Sequence, residues 1–335
     1  VILSSSRGLF LFFVLLIFTS VLVLGPFWGS TSLDYGQVFQ NWDPANGHPD
    51  AEVFFRVRLP RHLLAALAGA VLSLSGVVFQ AVLRNPLACP FTLGVAGGSS
   101  FGAVVAILLG WTFGFHGFSL VTLFSFLGAL FSLLLVYTLA GALRTRSVIT
   151  LLLAGVAVNY FFNALVLLVY YVADFTQAYA MIHWMIGSLD LVDMGTVGHL
   201  SLGFFAGFLV LWSMAPSLNL LSAGEEWAKT KGVSTGWVMG ISVMVASLLT
   251  SAIVALTGPI AFVGLIVPHV FRIWLGNDHR YLIPVSALGG AAFLMVCDGA
   301  ARSMFGPTEI PVGVLTALGG VPVLLWLLFR QGDEA

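Results

Sequence analysis

Charge is what this sequence has least of. Of its 335 residues 13 are Lys or Arg and 14 are Asp or Glu, so charged side chains make up 8% of the chain against 59% apolar ones. An ordinary soluble domain carries about 25% charged residues, and so few charges cannot cover a water-facing surface on a chain of this length. With a mean hydropathy of +1.03, most of the exterior must face lipid. Cysteine is nearly as scarce: Cys89 and Cys297 stand alone in unrelated segments, which excludes a disulfide framework and leaves no metal-ligand spacing. The net charge of -1 comes with no basic tail, so no nucleic-acid partner is expected. Catalytic signatures are also missing. There is no HExxH, no GxSxG in a strand–turn–helix setting and no G-x-x-x-x-G-K-[ST] phosphate loop. The chain is therefore not expected to be an enzyme or to hold a cofactor. Any active transport must draw its energy from a partner or from an ion gradient.

What the sequence has in abundance is long apolar runs. A helix needs about 20 such residues to cross the hydrocarbon core. Runs fall at 9–26, 62–83, 91–110, 118–143, 148–172, 195–214, 237–256, 260–275, 281–301 and 311–329. The expected fold is all-α, a polytopic helical membrane protein of about ten transmembrane helices forming a single permease-like domain over 1–335. The eighth run is short and interrupted by Pro268. Arg7 precedes the first run, but no A-x-A cleavage site follows it, so that run reads as an uncleaved span rather than a signal peptide.

The few charges orient the bundle. With the N-terminus inside, cytoplasmic stretches hold Arg7, Arg84, Arg144, Arg146, Lys229, Lys231, Arg272, Arg280 and Arg330. Outer stretches hold only Arg56, Arg58, Arg61 and Arg302, with most of the acids: Asp34, Asp43, Asp50, Glu52, Asp174, Asp190, Asp193 and Glu309. The excess of basic residues inside places both termini in the cytoplasm. The four outer arginines run against the bias and need an explanation of their own.

Two connections have character. Residues 177–187 (QAYAMIHWMIG) read as a short amphipathic helix on the outer membrane surface. The longest cytoplasmic connection, 216–236, contains SAGEEWAKTKGVSTG. There Ser222 is expected to cap a helix with Glu225 and Glu226 in its first turn and Lys229 and Lys231 in its last, matching the helix dipole. Gly232 supplies a stop. The pattern alone fits either a docking element or a solvated loop helix.

Within the spans, ionisable groups are costly and often functional. Asp298 is the one acid clearly inside a span, four residues before Arg302. It reads either as a proton or cation site of a gradient-driven carrier or as an i,i+4 ion pair. Asn159 and Asn163 share one helix face, to line a polar passage or to bond a neighbouring helix. The seven histidines show no ligand spacing on one helix, and 37 glycines, as in GVAGGSSFG (94–102), suit close helix packing.

Six segments in order resemble one family, the FecCD-type permeases of bacterial ABC importers for iron chelates, haem and cobalamin. The longest is RVRLPRHLLAALAGAVLSLSGVVFQAVLRNPLACPFTLGV (56–95). LLLAGVAVN (151–159), WMIGSL (184–189) and LNLLSAGEEWAKTKGV (218–233) follow. TGPIAFVGLIVPHVFRIWLGNDHR (257–280) and EIPVGVLTALGGVPVLLWLL (309–328) complete the set. Cys89 stands where the NPLA motif commonly continues with an acid, and 148–150 is more apolar than the usual hydroxyl-rich stretch.

The resemblance implies a permease that imports a metal chelate, ferric siderophore or haem, by alternating access across the bacterial inner membrane. A cobalamin importer is the nearest alternative, and a secondary transporter using Asp298 a further one. It implies as partners a cytoplasmic ABC ATPase dimer, a periplasmic substrate-binding protein and a second permease copy, most simply a homodimer, in the lipid bilayer. By the same resemblance, Arg58, Arg61 and Arg302 face acidic residues of the binding protein. Gly224, Glu225, Glu226, Ala228, Lys229 and Gly232 belong to a coupling helix (222–233) seated in the ATPase. Asn85 and Leu87, with the chain at 148–150, match the inner gate, and Asn159 and Asn163 lie on the helix that lines the pathway.

Overall fold

The computed structural model describes residues 2–29, 31–40, 48–111, 114–115, 118–142, 148–189, 192–304 and 309–333. Arg144, Arg146, Asp43, Asp190 and His116 lie outside these residues, as do the side chains of Arg7 and Arg330.

The described chain is almost wholly helical. Its helices are α1 (Ile2–Leu24), α2 (Tyr35–Gln40), α3 (Pro49–Glu52), α4 (Leu59–Val82), α5 (Val95–Leu108), α6 (Leu120–Ala142), α7 (Val148–Val172) and α8 (Phe175–Ile186). They continue with α9 (Met194–Ser213), α10 (Ala215–Ala223), α11 (Glu225–Thr230), α12 (Thr235–Thr257), α13 (Val263–Leu275), α14 (His279–Ser303) and α15 (Val312–Asp333). A two-residue antiparallel pair, β1 (Gly114–Phe115) with β2 (Phe118–Ser119), is the sole sheet among the described residues. Each expected run falls on an apolar helix. Seven of these are long and apolar enough to cross a bilayer, and three are shorter: Val95–Leu108, Val263–Leu275 and Val312–Trp326.

The second run begins earlier than its hydropathy suggests. Helix α3, a π-helical turn at Val53–Arg58 and α4 join into one rod, Pro49–Val82, whose most apolar window is 94% buried. This rod is the centre of the bundle, and α1, whose window is 6% buried, lies at its rim. Lipid gives helices no hydrophobic reason to associate, so close backbone approach and interhelical hydrogen bonds must hold them. Both occur here. A Cβ on Gly69 would lie 2.1 Å from the Gly290 carbonyl oxygen of α14, and one on Gly76 would lie 1.8 Å from that of Gly264 in α13. Ser75 donates to the Ala246 carbonyl at 3.1 Å, Thr250 donates to Ser75 at 3.0 Å, and the Gln80 amide reaches the Leu265 carbonyl at 3.3 Å. Exposed tryptophans Trp212, Trp237 and Trp274 sit together at one end, at the C-terminus of α9, the N-terminus of α12 and the C-terminus of α13, as expected at a membrane–water interface.

Three motifs with no assigned role meet at the opposite end. Gly187 and Gly258 both have positive φ, 80° and 65°, which only glycine adopts cheaply. Ser188 N–H donates to the Thr257 carbonyl at 2.9 Å, and Gly313 N–H to that of Gly187 at 3.0 Å. WMIGSL, TGPIAF and EIPVGV are thus one backbone junction tying α8, α12 and α15 together.

Candidate functional site: an arginine knot and an exposed polar helix at opposite ends

At the arginine end, two guanidiniums hold two carboxylates, and a third, Arg58, bonds to Thr31 and Tyr35. Arg61 Nε lies 3.0 Å from Asp298 Oδ1, and its Nη1 lies 2.6 Å from Glu309 Oε2. Arg302 Nε is 3.0 Å from Asp298 Oδ2, at an angle that leaves Arg302 Nε and Nη2 without a hydrogen-bond partner in the described residues. The Asp298 side chain is 0% exposed and that of Arg302 5%. Arg58, which ends the π-helical turn, points inward. It donates to the Thr31 carbonyl, to Thr31 Oγ1 at 2.8 Å and to the Tyr35 hydroxyl at 3.5 Å. The expected set of three outward arginines is therefore redistributed: Arg58 and Arg302 are buried, and Arg61 alone reaches the rim. A π-turn carries an extra residue, which changes the direction in which Arg58 projects. No motif reveals that. Arg56 pairs with Glu52 at 3.1 Å, with both side chains more than half exposed, and such a pair contributes little.

Asp298 is held between two arginines and is wholly buried. Of its two readings from sequence, the ion pair is the one this geometry supports.

The other end carries α11. The connection expected as one helix over 222–233 is two, broken at Gly224 with φ 145°. Ser222 does not cap α11. Its hydroxyl donates to the Asn219 carbonyl at 2.9 Å within α10, a local bond that competes with capping, and Gly224 takes the N-cap position with no side-chain bond. The C-terminal stop is as expected. Gly232 has φ 79°, its N–H donates to the Lys229 carbonyl at 2.9 Å, and Val233 N–H donates to that of Ala228 at 3.0 Å, the paired bonds of a Schellman ending. Lys229 lies 3.0 Å from Glu225 and 3.5 Å from Glu226. The Glu225 hydrogen bond, then its charge, raises the Lys229 pKa above its ordinary value. Lys231 Nζ stands 4.9 Å from the centre of the exposed Trp227 ring. Ala228 is the buried foot of this helix, which turns an acidic, aromatic and basic surface outward.

A clasp that sequence reasoning missed joins this segment to α14. Asn219 Nδ2 donates to Asp278 Oδ1 at 2.8 Å, and Asn219 Oδ1 accepts from His279 N–H at 2.8 Å, with His279 Nδ1 2.6 Å away. Trp212 Nε1 donates to the Arg280 carbonyl at 3.0 Å. Asp278, directly before an apolar run, is a legible N-cap signal; its partner Asn219 is not.

The residues expected at the gate and along the pathway lie elsewhere. Asn85 Oδ1 accepts from Leu87 N–H at 2.9 Å and its carbonyl from Ala88 N–H at 3.0 Å, closing the turn after α4 and leaving Leu87 exposed. On α7, Asn159 is half-buried against α5, where a Gly97 Cβ would lie 2.5 Å from its Oδ1, and Asn163 is exposed. Val158, Phe162, Val166 and Val169 are buried, whereas Ile149, Leu153, Val156, Tyr160, Leu167 and Tyr171 are exposed. The exposed set recurs every three or four residues, a complete helix face without a partner in one chain. No group of three His, Cys, Asp or Glu among the described residues could hold a metal ion, and both cysteines are free.

Helices this long and apolar make the chain a multi-pass membrane protein, and its family and relatives make it a permease, a transport component rather than a catalyst. The model of the FecCD transport family matches residues 13–330, and the chain belongs to that family. It is 37% identical to the molybdate import system permease protein MolB of Haemophilus influenzae over 98% of both chains. It is 34% identical to the hemin transport system permease protein HmuU of Yersinia pestis, covering 96% of this chain and 95% of that one. A solved metal-chelate-type ABC transporter in an inward-facing conformation superposes with a TM-score of 0.85 at 33% identity, over 96% of this chain and 99% of that one.

Proposed function

We propose that the chain is one half of a permease pair in an ABC importer and that it carries a metal chelate inward by alternating access. In this reading the arginine end faces outward and receives a substrate-binding protein, and α11 faces the cytoplasm and seats in an ATPase subunit. The observation that carries it is the exposed helix α11, clasped through α10 to α14, whose far end holds the arginine knot. A movement imposed on α11 therefore has a packed route to the outer surface.

The unpartnered face of α7 supports a pathway formed with a second copy. Tyr160, Phe161, Tyr171, Leu153 and Leu167 make it aromatic and aliphatic, without a charge, and Asn163 is its amide. Such a wall suits a bulky organic chelate, a ferric siderophore or haem, with cobalamin as the alternative of similar bulk. A small oxyanion such as molybdate, the cargo named for one relative, would need donors or cations to replace its hydration.

The test is reconstitution in vesicles with the ATPase and binding protein that co-purify with the chain. ATP-dependent uptake of haem or a ferric siderophore, unaffected by collapsing the proton gradient, is expected. Glu225→Lys with Glu226→Lys should abolish it while the bundle stays folded. Uptake without ATPase, driven by a gradient and lost in Asp298→Asn, would establish the secondary-transporter reading instead. Uptake of molybdate in preference to chelates would remove the argument from the α7 face.

A further inference from the structure

We propose that Glu309 occupies the seat on Arg61 that an acidic side chain of the docked partner takes, so that docking is an exchange of carboxylates. The proposal rests on the outward-facing docking role given above and adds a residue to it. Its basis is the unequal company of Arg61. The inner edge of the guanidinium meets Asp298 at 3.0 Å, a carboxylate that is 0% exposed and lies also 3.0 Å from Arg302. That carboxylate cannot leave without stranding the buried Arg302. The outer edge meets Glu309 at 2.6 Å, a carboxylate that is 46% exposed.

Glu309 is free to be replaced in a way Asp298 is not. Its backbone neighbour is fixed, because Ile310 N–H donates to the Ala301 carbonyl at 3.3 Å. Its side chain alone can swing into water at the cost of one half-exposed ion pair. Arg58 and Arg302 contribute charge rather than contact. With Glu309 turned away, Arg61 and Arg302 share the single carboxylate of Asp298, and the outer edge of Arg61 is left unpaired at the rim. An incoming carboxylate then finds the geometry Glu309 has left. A basic or neutral surface finds nothing to compensate the displaced pair. Glu309 thus lowers affinity for every partner and sharpens selection for an acidic one.

The experiment measures binding of the substrate-binding protein that supports uptake to the purified permease–ATPase complex in lipid nanodiscs, at low and high salt. Glu309→Gln keeps the side chain's size and sits at the rim, so folding should be unaffected, as checked by thermal unfolding of the same sample. The expected result is an affinity two- to fivefold tighter, about what a pair of this exposure contributes, with the gain shrinking at high salt. Arg61→Gln should weaken binding, and Arg61→Gln with Glu309→Gln should be no tighter than Arg61→Gln alone. Wild-type binding with unchanged or weaker affinity for Glu309→Gln overturns the exchange and leaves docking at this face standing. A wild-type complex that does not bind the partner at all overturns the docking role itself.

Discussion

Replacing Asp298 by Asn should destabilise the protein, and then removing Arg302 as well should restore part of the loss. Removing one partner of a buried ion pair typically costs about 3–5 kcal/mol, because the other charge is left uncompensated in a poorly polarisable surround. Asn keeps an oxygen that can accept from Arg61 Nε, now 3.0 Å from Asp298 Oδ1, which recovers about 1 kcal/mol. Arg61 also keeps Glu309. The stranded group is Arg302, 5% exposed and within electrostatic reach of Arg61 and Arg58. A net loss of roughly 2–4 kcal/mol follows. Arg302→Leu added to Asp298→Asn removes the stranded cation, so the double variant should be more stable than Asp298→Asn by about 1–2 kcal/mol. Unfolding in mixed micelles, followed by tryptophan fluorescence for all four members of the cycle, gives the coupling energy. If the double variant loses the sum of the two single costs, Asp298 and Arg302 are not a coupled pair and the account of the knot is wrong. If Asp298→Asn leaves stability unchanged but abolishes gradient-driven uptake, the carboxylate is a coupling site.

Other changes probe the packing and the clasp. Gly76→Ala places a methyl 1.8 Å from the Gly264 carbonyl, a backbone atom that yields only if α4 and α13 separate. A loss of about 1–3 kcal/mol is expected in the same unfolding assay, and a neutral result would mean the two helices are not in close contact. Asn219→Ala removes the hydrogen bonds to Asp278 and His279, each worth about 1 kcal/mol. In the reconstituted importer it should lower uptake per ATP hydrolysed, whereas an unchanged ratio would take the clasp out of the coupling route.

The apolar runs made the helical architecture readable, because a bilayer demands long uninterrupted helices and admits few other solutions. Gly232 was readable too, since a left-handed helix ending nearly requires that residue. What the residues hid was direction and partnership. Nothing in RVRLPR tells that Arg58 turns into Thr31 while Arg61 reaches the rim, because a π-turn shifts the facing without changing the composition. Asn219 and Asp278 are 59 positions apart, beyond any spacing rule. Ser222 has the chemistry of a cap, yet its hydroxyl found the carbonyl of Asn219 first. The amphipathic helix α8 was legible in kind. Its start was marked by Asp174 and Gln177, whose reciprocal bonds of 2.8 and 3.1 Å make a capping box.

The two ends of the molecule are linked by a helix that both ends grip. Helix α14 has 25 residues, about 37 Å at about 1.5 Å per residue, enough to cross the hydrocarbon core. Its first residue is fastened to α10 by Asn219, and its last turns carry Asp298 and Arg302. Between them it lies so close to α4 at Gly69 and Gly290 that sliding past α4 would force carbonyls into contact. Pro284 sits in its second turn, where the missing N–H permits a bend near the clasp. A push on α11 is thus delivered to a stiff rod rather than dissipated in a loop. The rod's other end holds the carboxylate that fixes Arg61. Tilting α14 by a few degrees would move Asp298 by more than the tolerance of a 3.0 Å contact, so under the proposed function the state of the α11 end should alter how Arg61 is presented to a docked partner. By linkage, a partner that prefers one arrangement of Arg61 must bias the tilt in return.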